Sequence, residues 1–166
     1  MNIDAEILIG KLELLPHPEG GFFKETYRSE GFIDQRSLPK GFNGKRNYST
    51  GIYFLLKGTQ MSRFHRIRSD EMWHHYYGCA VNIHMIDNSG TYSVITLGKD
   101  ILNGEVPQAV VPAGAWFGAE LADKDSFALS GCTVSPGFDF LDFELAQREV
   151  LLSMYPELRE IIQKLT

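Results

Sequence analysis

The stretch 64-FHRIRSDEMWHHYYG-78 decides how the chain is read. It gathers His65, His74, His75 and Glu71 among aromatic rings, the side chains of a metal or acid–base site. Alternate residues of a strand point to the same face, so His65 and Ile67 share one face. By the same parity Glu71, Trp73, His75 and Tyr77 share a face, and a bulge would exchange it for His74 and Tyr76. Parity leaves both faces open, and His84 also fits either.

Working outward, short runs rich in aromatic and β-branched residues flank this stretch and read as strands. They are 22–29, 49–57, 62–67, 71–77, 80–87, 91–98, 108–112, 115–120 and 126–134. Turn residues such as Asn88-Ser89-Gly90 separate them. Short strands at this spacing imply a sandwich or barrel with non-local pairing. Before them, 4–15 places Ala5, Leu8, Leu12 and Leu15 at helical spacing with Asp4 as N-cap, and Pro16 and Pro18 end the helix. After them, 144–164 returns to a helical pattern that Pro156 divides in two. Residues 29–48 read as a long loop of the kind that forms lids. The segment 136-PGFDFLDFE-144 reads as a strand or arm packed outside the barrel with its acids solvated. One domain, 1–166, accounts for the whole pattern.

The chain has 166 residues, 43% of them hydrophobic and 12% aromatic, with 22% charged, values of an ordinary folded domain. Its formal net charge of -5, with no long basic run, argues against nucleic acid as a partner. No apolar run approaches the roughly 20 residues of a membrane helix, so no membrane partner is expected. The N-terminus lacks the basic region of a secretory signal, and Cys79 and Cys132 lie far apart. A cytoplasmic location with reduced thiols is expected.

Gly58, His65, Ile67, Glu71 and Gly78 resemble the first motif of the cupin superfamily, G-x5-H-x-H-x3-E-x6-G, although Gly58 lies one residue too far upstream. The second cupin motif is matched by 112-PAG-114 alone. The uncharacterised cupin-5 family, a domain of unknown function, is more similar. Its marks stand here as 16-PHPEGG-21, 69-SDEMWH-74, 111-VPAGAW-116 and 131-GCTVSPGF-138. The resemblance implies a mostly β fold, the cupin double-stranded β-helix, a jelly-roll-like barrel with an N-terminal helix and C-terminal helices. It also implies a homodimer.

In cupins that bind metal, three histidines and a glutamate converge inside the barrel. The resemblance places Ile67 and Phe117 at two of those histidine positions, and neither side chain has a lone pair to donate. No cofactor is therefore expected; a divalent metal would have to use His65, Glu71 and His75. His65 and Glu71 are the candidate catalytic pair. If they meet, the carboxylate orients the imidazole and raises its pKa. Candidate ligand-binding residues are Glu25 and Arg28 in 20-GGFFKETYRS-29, together with Trp73, His75 and Trp116, whose rings would stack on a flat ligand. The same segment resembles one that helps hold the nucleotide in nucleotide-sugar epimerases. The expected activity is small-molecule binding in the barrel cavity without a tightly held metal. The alternatives are a sugar or nucleotide-sugar epimerase with His65 as base, and a metal-dependent enzyme. The plainer alternative for each histidine is a satisfied polar group near the barrel mouth, and for each tryptophan the core.

Overall fold

The alternating runs become two antiparallel sheets stacked on a shared core in the computed structural model, which describes residues 4–166. In chain order the strands are β1 (Leu15–Pro16), β2 (Phe22–Arg28), β3 (Phe32–Ile33), β4 (Arg46–Asn47) and β5 (Thr50–Lys57). They continue as β6 (Met61–Arg66), β7 (Asp70–Gly78), β8 (Val81–Ile86), β9 (Tyr92–Leu97) and β10 (Gln108–Val111). The last are β11 (Trp116–Leu121), β12 (Phe127–Ser135) and β13 (Glu144–Leu145). The helices are α1 (Ala5–Leu12), α2 (Arg148–Met154) and α3 (Arg159–Lys164). One sheet has six strands in the order β1-β2-β5-β12-β7-β10, and the other five in the order β13-β6-β11-β8-β9. From β5 to β12 the chain changes sheet at every step except the β8–β9 hairpin. That crossing pattern is a jelly roll, and it brings inward residues from distant strands together.

Between the sheets lie Phe54, Trp73, Ile83, Phe117, Leu121 and Cys132, all buried. Each helix covers an outer face. α1 lays Ala5 against Leu55 and Leu129 on the six-stranded sheet. α2 and α3 press Leu151, Ile162 and Leu165 onto Phe64, Ile86 and Trp116 of the five-stranded sheet. Among the described residues no helix is long and apolar enough to cross a membrane.

Three sequence expectations need correction. α1 stops at Leu12 rather than Leu15, because Glu13 takes the left-handed conformation (φ 54°) and its N–H returns to the helix carbonyls. Asp4 does cap the other end, its Oδ1 accepting from Ile7 N–H at 2.9 Å. The stretch 29–48 is not structureless: β3 pairs with β4, and residues Gln35–Ser37 form a 3-10 turn. The 136–144 arm does not present solvated acids throughout. Asp142 is buried and takes a two-point bond from Arg46, Nε to Oδ2 at 2.6 Å and Nη2 to Oδ1 at 2.8 Å. Arg46 also donates to the carbonyls of Asn43 and Lys45. This ion pair ties the β3–β4 loop to the arm 96 residues further on.

Removing one partner of such a pair strands a charge in a dry interior. Asp142→Ala should therefore lose about 3 kcal/mol of unfolding free energy in urea titration. A loss below about 1 kcal/mol would mean that Arg46 reaches water once its partner is gone.

Candidate functional site

The site begins in 16-PHPEGG-21, the loop between α1 and β2. Gly20 and Gly21 have φ of 116° and 69°, values L side chains rarely adopt. A Cβ at Gly20 would stand 2.1 Å from the Met61 carbonyl oxygen, so only glycine allows the loop to lie this close to β6. Arg63 fastens it there. Its N–H donates to the Glu19 carbonyl at 2.9 Å and its Nη2 to the Pro18 carbonyl at 2.5 Å. The loop thereby pushes His17 and Glu19 inward; Glu19 is 5% exposed.

His65 sits on β6 opposite Phe117 of β11, with ring centroids 4.0 Å apart. Its Nδ1 lies 2.7 Å from the Arg63 carbonyl oxygen. A carbonyl can only accept, so Nδ1 carries the hydrogen. Nε2 faces Glu19 Oε2 at 3.1 Å. In a neutral imidazole Nε2 has only a lone pair, so this contact is an ion pair only when the ring is protonated. Burial lowers the pKa of His65 and raises that of Glu19, and both effects keep the proton on the acid. Ser62 Oγ donates to the other oxygen, Glu19 Oε1, at 2.7 Å. His17 completes the group: its Nδ1 accepts from the Glu19 N–H at 3.3 Å, which leaves Nε2 as the donor.

Sequence reasoning paired His65 with Glu71; its ion-pair contact is instead Glu19, in the 16-PHPEGG-21 segment that entered only as a family mark. The expected rise in the imidazole pKa is reversed, because burial outweighs the attraction of Glu71. Glu71 on β7 lines the same cavity, 7% exposed. Burial pushes its carboxyl up to about 7, with Glu19 adding to the rise and His65 opposing it. The Cys132 thiol and the Trp73 indole also favour the ionised form. The Trp73 N–H is buried and meets no acceptor at hydrogen-bonding geometry.

The cavity measures about 260 Å³, and its walls are largely apolar: Phe23, Ile52, Phe54 and Val134 from the six-stranded sheet, Phe138, Phe140 and Phe143 from the arm. Glu25 and Arg28 stand at its half-exposed rim. The other sequence candidates fall outside it. Trp73 is core, 1% exposed and edge-on to Phe54. Trp116 lies on the opposite face of the five-stranded sheet, among the C-terminal helices and under the Arg66 guanidinium. A bulge where β7 meets Leu129 and Ser130 of β12 turns His75 toward a surface groove, where it bonds the Cys79 carbonyl. His84 lies on an outer face with Tyr92 and Glu120.

These residues do not fit the cupin metal set. Ile67 and Phe117 fill two ligand positions with carbon, and the His17 Nδ1 lone pair is taken by a backbone N–H. Among the described residues no three histidine, cysteine, aspartate or glutamate side chains are grouped to hold an ion.

Residues 6–146 match the family model described as Cupin superfamily (DUF985). The chain is 32% identical over 151 residues to the uncharacterized protein YML079W of Saccharomyces cerevisiae, covering 86% of this chain and 75% of that one. Protein SO0799 of Shewanella oneidensis superposes with a TM-score of 0.90 at 42% identity, covering 99% of this chain and 98% of its own. Oxalate decarboxylase of Bacillus subtilis matches with a TM-score of 0.54 at 16% identity, over 91% of this chain and 36% of that one, a likeness of fold alone.

The proton arrangement is open to measurement. Nitrogen-15 NMR of His65 near neutral pH should show the Nδ1–H tautomer with Nε2 accepting a bond. Glu19→Ala should move the Nε2 resonance, whereas Glu71→Gln should leave the tautomer unchanged. The raised carboxyl of Glu71 has a consequence for stability as well. The unfolded chain ionises this group near its ordinary value of 4.5, and the folded protein near 7. Its stabilising contribution is therefore whole below the ordinary value and is lost as pH rises through about 7. From about pH 5 to about pH 8, Glu71→Gln should gain on the wild type by up to about 3 kcal/mol in denaturant unfolding. Parallel curves would mean that Glu71 reaches solvent.

Proposed function

Because the chain belongs to the Cupin superfamily (DUF985) family, we propose that it binds a small organic molecule in its barrel cavity and needs no tightly held metal to do so. The observation that carries this reading is a recess of about 260 Å³ with phenylalanine walls and a buried carboxyl, Glu71, opening into it. Apolar walls with a few convergent polar groups are the ordinary make-up of a ligand site. In this reading Glu71, His17 and the Glu19–His65 pair meet the ligand's polar end, while the phenylalanines hold its apolar part. Glu25 and Arg28 guard the entrance.

One observation favours a second reading, proton-transfer chemistry on the bound molecule. A buried carboxyl with a pKa of about 7 is matched to general acid–base work near neutral pH. Glu71 rather than His65 would then be the base, since Glu19 already holds the imidazole Nε2. The nucleotide-sugar version is disfavoured, because Arg28 has little left for a phosphate. Its Nε and Nη2 bond both oxygens of Glu25, and its Nη1 bonds Asn47 Oδ1 and the Phe138 carbonyl.

A homodimer also belongs to this proposal. Tyr27, Tyr76 and Tyr77 of the six-stranded sheet are exposed, and pairing would cover them. A cytoplasmic setting is likewise proposed, one in which the free thiols of Cys79 and Cys132 are stable.

Native mass spectrometry of protein taken directly from its host tests the binding proposal. The expected spectrum carries a retained organic molecule that leaves on mild activation. A metal ion at full occupancy, surviving exchange into a volatile buffer, would overturn the metal-free reading.

A further inference from the structure

The groups left unpaired in the cavity define what can fill it. The Glu71 carboxyl receives no N–H or O–H bond at normal geometry from the described residues, although it is 93% buried (7% exposed). Asp139, at the rim, uses Oδ1 to accept from Leu141 N–H, and its charge acts on the guanidiniums of Arg28 and Arg46. The cation in the lining, Arg28, has four of its five N–H groups directed at Glu25, Asn47 and Phe138. His17 offers a single N–H. Glu19 and His65 face each other at 3.1 Å, and Glu19 Oε1 also accepts from Ser62 Oγ. The cavity is thus rich in acceptors, poor in donors and negative in charge. Its walls add five phenylalanine rings, whose faces attract cations.

We infer that the ligand is a small organic cation, a protonated amine or amidinium on a flat or apolar body, its N–H groups bonded to Glu71 and its ring or chain packed among Phe23, Phe54, Phe138 and Phe143. This rests on the proposal that the cavity binds a small molecule and names the chemistry of that molecule. A carboxylate or phosphate of the same size would face four carboxyl groups with one already engaged guanidinium. A neutral molecule would gain nothing from an ionised Glu71, because burial favours the protonated carboxyl. A cation bonded to Glu71 satisfies the carboxylate and offsets the cost of its burial, as a buried ion pair with good geometry does.

The test compares four probes of similar shape on the full chain by isothermal titration calorimetry: benzamidine, benzylamine, benzyl alcohol and benzoate. The two cations are expected to bind at least tenfold more tightly than benzyl alcohol, with no measurable binding of benzoate. Glu71→Gln should weaken benzamidine at least tenfold while altering benzyl alcohol little. Should that variant fail to fold, NMR of the wild type decides the point. Nuclear Overhauser contacts from the benzamidine ring to the cavity phenylalanines support the inference, and contacts elsewhere overturn it. Benzoate or benzyl alcohol binding as well as the cations would overturn the cation assignment and leave the cavity proposal standing. Failure of all four to bind would count against both.

Discussion

The contact of Glu19 Oε2 with His65 Nε2, at 3.1 Å, is the constraint around which the interior is arranged. Two ionisable groups buried to this depth are costly unless each satisfies the other. The Arg63 carbonyl fixes the imidazole from one side, and the Ser62 hydroxyl fixes the carboxyl from the other. The arrangement requires the 16–21 loop to lie against β6, and that approach is possible only because Gly20 lacks a Cβ.

The positions from which ligands are missing have been used for packing. Phe117 is fully buried with its ring against His65, and Ile67 is 4% exposed on the cavity wall. Carbon at these two places removes lone pairs and tightens the core, so the remaining polar groups act singly or in pairs. Glu71 faces the Cys132 thiol and the Trp73 indole, and burial dominates its ionisation. A carboxyl in that condition responds to whatever enters the cavity, whether a cation that bonds it or a substrate that takes its proton.

The mouth is built by long-range connections. Arg28 on β2 reaches the Phe138 carbonyl, and Arg46 on β4 holds Asp142, so the phenylalanine-bearing arm is fastened at two points. Both cations are largely engaged by the protein itself. The entrance is therefore held in shape by charges that are not free to attract an anion, and the acidic character of the interior is preserved.

The strand pattern was legible because alternation is local: β2, β5, β7, β11 and β12 begin and end within a residue or two of the runs read from sequence. The placement of His65 and Glu71 in one cavity was also legible, through their spacing and the family motif. What sequence could not disclose depends on contacts between residues far apart in the chain. Glu19 meets Ser62 across 43 residues, Arg46 meets Asp142 across 96, and Arg28 meets Phe138 across 110. No local period records such meetings, so His17 and Glu19 were not among the candidate residues and the arm was read with its acids solvated. Trp73, Trp116 and His75 went astray for a related reason. Parity along a strand says which residues share a face, but only the stacking of the sheets, the covering helices and the bulge in β7 decide what that face meets. The amino-acid order alone determined the barrel and two of its interior polar groups. The folded chain decided their partners, because charge pairing in a dry interior is settled by distance in space.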